Sequence, residues 1–122
     1  MRKLPLLLTV VLAASFTAGA RAAPVAVVSH FDAAPASADQ VYSQLVAYTA
    51  ETRRDRGNRS VDLKRETVPG HFTVREVWAD RRAFDEHTAA EHTRRFHLSV
   101  TPLLEHPMDE QLEQRMRGSD NE

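Results

Sequence analysis

Along the chain the apolar residues follow two rhythms, one of strands and one of helices. Val25 to Phe31 (VAVVSHF) is a β-branched run with prolines on either side, and it predicts a first strand. Pro35-Ala36-Ser37 turns the chain, and Ser37 or Asp39 is placed to cap a helix. From Ala38 to Arg56, Val41, Leu45, Tyr48 and Thr52 recur at helical spacing, with Tyr42 and Val46 beside them. Gly57-Asn58 supplies the stop. Ser60 to Glu66 alternates Val61, Leu63 and Arg65 against Asp62, Lys64 and Glu66, a second strand, and Val68-Pro69-Gly70 is a turn. His71 to Trp78 (HFTVREVW) carries the strongest strand signal. Phe72, Val74, Glu76 and Trp78 fall on one of its faces, because side chains alternate across a strand. Asp80 caps a helical stretch from Arg81 to His92, and Arg94 to Leu104 continues it with Phe96, Val100, Leu103 and Leu104. Met108 to Arg117 fits either period: Met108, Leu112 and Met116 share a helix face, but with Glu110 and Gln114 they also share a strand face. Intrinsic propensity favours the helix.

If that last element is a strand, the order is β-α-β-β-α-β, an α+β ferredoxin-like arrangement. Two helices on one face of a four-stranded sheet leave its other face bare, and a second copy of the chain is the expected cover.

The first residues belong to a different pattern. Met1-Arg2-Lys3 is positive, Leu4 to Ala14 is apolar, and small residues follow through Ala22. That is the order of a secretory signal peptide over residues 1–22, with Ala20 as the second choice of cleavage site. The apolar run is short for a membrane span. An exported, periplasmic or secreted protein is expected, with one domain over 23–117 and a disordered tail over 118–122. Loss of Arg2, Lys3 and Arg21 leaves the rest acidic by about four charges, which does not favour nucleic acid. Arg53-Arg54-Asp55-Arg56 is locally basic, but cations at a helix end are favoured by its dipole. There is no cysteine, so packing alone must hold an exported domain.

Glu76-Val77-Trp78, then Asp80, then His87 and His92, then Pro102-Leu103-Leu104 together resemble the antibiotic biosynthesis monooxygenase family, in particular its quinol monooxygenase-like members. The resemblance implies a dimeric α+β barrel of two ferredoxin-like subunits, with a pocket between sheet and helices. It also implies that Met108 to Arg117 is a strand that crosses to the partner, and this overrules propensity. Many members oxidise quinols, anthrones or naphthols with molecular oxygen and no metal or flavin, whereas others degrade haem or isomerise small phosphorylated sugars. The haem branch implies an asparagine on the first strand, and Val25 to Asp32 has none.

Such chemistry asks for a base, an aromatic wall and a donor for the developing oxyanion. Trp78 is the candidate wall, with Phe72, Val74 and Phe96 completing the lining; a tryptophan packed beneath the helices is the competing reading. His87 and His92 are the candidate bases, and helix-surface residues are the alternative. Five residues apart, they point about 140° from each other on a straight helix and converge only if the helix breaks. The family breaks it with Ser-Pro, where this chain has Ala90-Glu91. Glu76 either serves the site or pairs with an arginine such as Arg82 or Arg94. His97 and His106 are expected on exposed helix surface, and His71 opens its strand. Spacings of five among His87, His92 and His97 do not suit a zinc pair, so no metal site is expected. The expected function is a cofactor-independent monooxygenase acting on a small electron-rich aromatic. A non-catalytic dimer that binds a small hydrophobic ligand or acts as a scaffold is the alternative.

Overall fold

Val25–Asp32 (β1) and His71–Trp78 (β3) pair antiparallel through their whole lengths in the computed structural model, which describes residues 23–113. Asn58–Arg65 (β2) joins the far side of β3, and Asp109–Glu113 (β4) joins β1, giving the order β2-β3-β1-β4. Ala38–Thr52 (α1) follows β1, and Arg81–Ala89 (α2) and Glu91–Val100 (α3) follow β3. This is the ferredoxin-like α+β order. Residues 109–113 are a strand, as the resemblance implied against helix propensity. The expected leader over 1–22, the end of the last strand over 114–117 and the tail over 118–122 lie outside the described residues.

Register fixes which side chains meet the helices. Val27 lies between Glu76 and Leu112, with Val61 beyond Glu76, and Phe31 is opposite Phe72. On that face Val27, Phe31, Val61, Phe72, Val74, Glu76 and Trp78 are buried, and Val41, Leu45, Tyr48, Phe96 and Val100 of the helices pack over them. The other face carries Ala26, Val28 and Val77, half-buried, beside the exposed Asp62, Lys64 and Arg75. None of the described helices covers it.

Two boundaries differ from the sequence expectation, and both shape the site. The helix expected to reach Arg56 ends at Thr52, and Arg53 to Gly57 form turns instead. Gly57 permits this with φ +83, and a Cβ there would overlap the Cβ of Ala83 on α2. The second helical stretch breaks at Ala90, whose ψ of 144° is extended, and not after His92. Ala90 ends α2 and begins α3, so the axis changes direction between the two histidines.

Candidate active site

The break at Ala90 brings His87, at the end of α2, and His92, in the first turn of α3, onto one carboxylate. That carboxylate is Asp55, in the turns after α1. His87 Nδ1 lies 2.6 Å from Asp55 Oδ2, and His92 Nε2 lies 2.8 Å from Asp55 Oδ1. The imidazole centroids are 5.8 Å apart. An anionic carboxylate only accepts, so each ring donates an N–H to it, and Asp55 thereby sets both tautomers.

The other side of His87 faces the sheet. Its Nε2 is 2.9 Å from Tyr48 Oη and 3.4 Å from Glu76 Oε1. Tyr48 Oη is 3.2 Å from Glu76 Oε2, and the Trp78 indole N–H donates to Glu76 Oε1 at 3.2 Å. With Nδ1–H committed to Asp55, a neutral His87 presents a bare Nε2 that accepts a hydrogen bond from the Tyr48 hydroxyl. Tyr48 then has only lone pairs left for Glu76, so that contact needs a proton on Glu76. Burial pushes the Glu76 carboxyl up to about 7, outweighing the hydrogen bonds that would favour its carboxylate, and so populates that proton near neutrality. Burial also lowers His87, against Asp55, and raises the Tyr48 phenol. All three groups are thus held toward their neutral forms.

Beyond Asp55 the chain of contacts reaches the surface. His92 keeps a side-chain exposure of 20%, yet its Nδ1 is buried and makes no hydrogen bond. The nearest acid is the Glu51 carboxylate, with Oε2 3.4 Å away. His92 lines a cleft of about 350 Å³ between α1 and α3, together with Tyr48, Glu51, Arg95 and Phe96. Phe96 stacks on Tyr48 with centroids 4.1 Å apart, and Ser99 donates to Gln44 at the cleft wall.

Of the residues expected from sequence, Glu76, Trp78, His87 and His92 do form one contact cluster. Trp78 itself is fully buried: its ring lies 4.6 Å from that of His87 and its N–H is taken by Glu76, so it offers no open face to a ligand. Phe72 and Val74 are likewise closed within the core, whereas Phe96 reaches the cleft. Of the two readings of Glu76, the arginine pairing is not the one seen: Arg82 pairs with Glu86, and the neighbours of Glu76 are Tyr48, Trp78 and His87. His97 is half-buried rather than exposed, and His106 is exposed. His71 contacts Asp32 at 3.0 Å, away from the cluster. Sequence reasoning missed Tyr48, hidden among apolar helix positions, and Asp55, hidden in a basic run. The spacing argument against a zinc pair holds only for an unbroken helix, and the helix breaks at Ala90. Here Asp55, His87 and His92 bring three donor atoms within 4.8 Å of one another.

Comparison with known proteins adds a family match. Residues 24–98 match the family model described as antibiotic biosynthesis monooxygenase. The chain is 32% identical over 85 residues to Rv0793 of Mycobacterium tuberculosis, a protein provisionally designated a monooxygenase, covering 70% of this chain and 84% of the relative. The solved structure of Rv0793 superposes with a TM-score of 0.73 at 28% identity, over 80% of this chain and 99% of that one. PA3566 of Pseudomonas aeruginosa gives a TM-score of 0.73 at 26% identity over the same shares. A crystal structure described as an antibiotic biosynthesis monooxygenase gives 0.70 at 26%, over 74% of this chain and 96% of that one.

Proposed function

This chain belongs to the antibiotic biosynthesis monooxygenase family, and on that premise we propose that it oxidises a small electron-rich aromatic, of quinol or anthrone type, with molecular oxygen and no cofactor. The observation that carries this reading is His92, clamped by Asp55 at Nε2 and set at the edge of a cleft whose wall includes Phe96 and Tyr48. With Nε2–H held by Asp55, the unpaired Nδ1 is the basic atom. A substrate hydroxyl entering from the cleft reaches it once the exposed Glu51 side chain, 3.4 Å away, moves aside. Arg95 offers a cation to the resulting phenolate. His87, Tyr48, Glu76 and Trp78 brace Asp55 and His92 from beneath.

The chemistry closes on substrate and oxygen alone. For an anthrone, removal of a proton gives an enolate that passes one electron to O2, and the radical pair combines to a C–O–O⁻ adduct. The adduct takes up a proton and loses water, leaving a new C=O. One oxygen atom enters the product and the other leaves as water. The protein's share is to hold the ring, accept the proton and keep bulk water out.

The working form is proposed to be an exported homodimer in which the open sheet face is covered by a second copy. The family resemblance and the half-buried Ala26, Val28 and Val77 on that face support this. Residues 1–22 supply the leader pattern for export, and N-terminal sequencing of protein recovered from outside the cytoplasm should begin at Ala23.

Oxygen consumption by chelator-treated protein given a reduced anthrone or naphthoquinol tests the reaction. We expect His92→Ala to lower kcat/KM by at least about 100-fold, within the range of general-base contributions. Equal rates for wild type and His92→Ala would remove the assignment. Ligand binding without turnover is the second reading, favoured by the sealed seat of Trp78. Saturable naphthoquinol binding with no oxygen uptake in the metal-free dimer would select it.

A further inference from the structure

We infer that Asp55, His87 and His92 form a binding site for one first-row divalent ion of the zinc or cobalt class. The donor set comprises Asp55 Oδ, His87 Nδ1 and His92 Nε2, drawn from the turns after α1, the end of α2 and the start of α3. Two imidazoles and one carboxylate are borderline donors that suit zinc, cobalt, nickel or copper rather than calcium or magnesium. The two N···O separations are 2.6 and 2.8 Å. Ligands around a tetrahedral ion at about 2.1 Å stand about 3.4 Å apart, so these two separations open by well under 1 Å while the three donors, within 4.8 Å of one another, draw in around the ion.

A second, independent observation comes from the outward nitrogens. An imidazole that binds an ion through one nitrogen carries a proton on the other, and that N–H is usually held by a carboxylate, hydroxyl or carbonyl. Both rings are furnished for this. With an ion on Nδ1, His87 donates Nε2–H to Tyr48 Oη, and the Tyr48 hydroxyl donates to Glu76 Oε2 while Trp78 donates to Oε1. Every polar atom of that chain is then satisfied with Glu76 as a carboxylate. With an ion on Nε2, His92 carries a proton on Nδ1, the one buried side-chain nitrogen left without a partner among the described residues, and that N–H faces Glu51 Oε2 at 3.4 Å. A second proton on His92 would supply the same N–H, and metal titration separates the two cases.

Access and charge are compatible with an ion. A recess of about 90 Å³ lined by Asp55, Arg56, Glu86, His87 and Ala90 leads to the cluster. It has room for a water as a fourth ligand, and Glu86 adds a carboxylate, paired with Arg82, at its rim. Arg56 is the one cation lining that recess, opposed by Asp55 and Glu86. The inference goes beyond the oxygenase reading and sets a limit on it: an ion at Nε2 places a proton on Nδ1, so the loaded form lacks the proposed base.

Cobalt(II) is the probe, added to untagged, chelator-treated full-length protein. We expect one equivalent per chain, seen as visible d–d absorption that zinc displaces, with parallel quenching of Trp78, whose ring lies 4.6 Å from that of His87. Asp55→Asn and His92→Ala should each weaken binding by at least about 100-fold with unchanged circular dichroism. Glu51→Gln should weaken it by about 10-fold through the outer carboxylate, and His106→Gln should leave it unchanged. No d–d band at millimolar cobalt, or bands equal in wild type, Asp55→Asn and His92→Ala, would overturn the site. These readouts do not depend on turnover. A protein that binds cobalt and never consumes oxygen defeats only the oxygenase reading, and one that turns over without binding cobalt defeats only this one.

Discussion

Glu76 sits where a strand places a hydrophobic residue, between Val27 and Val61 in the sheet, and its carboxyl is neutral in part because it has been taken out of water. Its effect on stability follows in sign. An acid raised from 4.5 to about 7 on folding leaves the native state holding a proton that the unfolded chain has released. Its contribution is therefore intact below pH 4.5 and declines as pH rises through 7, by up to about 3 kcal/mol. Urea unfolding of metal-free protein should show this decline between pH 5 and pH 8, and Glu76→Gln should flatten it. A wild-type slope equal to that of the variant would contradict this. Tyr48→Phe removes the hydroxyl between Glu76 and His87 and should cost about 1–3 kcal/mol, since two buried groups lose a partner. The sequence showed Glu76 on an apolar strand face but not its neighbours. Tyr48 is 28 residues away and fits the helix period as well as a leucine does.

Helix ends, more than helix bodies, assemble the site. The break at Ala90 turns a five-residue spacing that separates two imidazoles into one that joins them. Ala90 already has the extended ψ required before a proline, and Glu91 is the first residue of α3, where a proline loses no helical hydrogen bond. Glu91→Pro is therefore expected to stabilise the protein by about 0.5–1 kcal/mol, read as a melting temperature a few degrees higher. Adding Ala90→Ser should gain a side-chain cap that α3 lacks. A lowered melting temperature for Glu91→Pro would count against this account of the break. Gly57→Ala should destabilise, because it forces a positive φ on a residue whose Cβ meets Ala83. Apart from the last segment, which fits either period, strand and helix identities were readable from period alone, since each uses one face consistently. The break was not. No glycine or proline marks it, and it follows from His87 and His92 both docking on Asp55.

At the scale of the whole molecule, the sheet has one face packed under three helices and one that carries alternating apolar and charged side chains. The proposed dimer uses the second. Light scattering should give twice the chain mass, and Val28→Asp with Val77→Asp, at the centre of that face, should shift the protein to monomer without unfolding it. A monomeric wild type at micromolar concentration would refute the proposed assembly. Topology was legible once the last segment was taken as a strand, because β-α-β-β-α-β leaves few ways to wind a single sheet.

The position of β1 has a consequence for how the molecule is made. It lies inside the sheet, hydrogen-bonded to β3 on one side and to β4 on the other. Synthesis delivers β1 first, but β3 begins at His71 and β4 only at Asp109. Until nearly all of these residues exist, the central strand has no complete set of hydrogen-bonding neighbours. The complete sheet is therefore postponed until Asp109–Glu113 has been made, and a chain in that condition would suit the export proposed above.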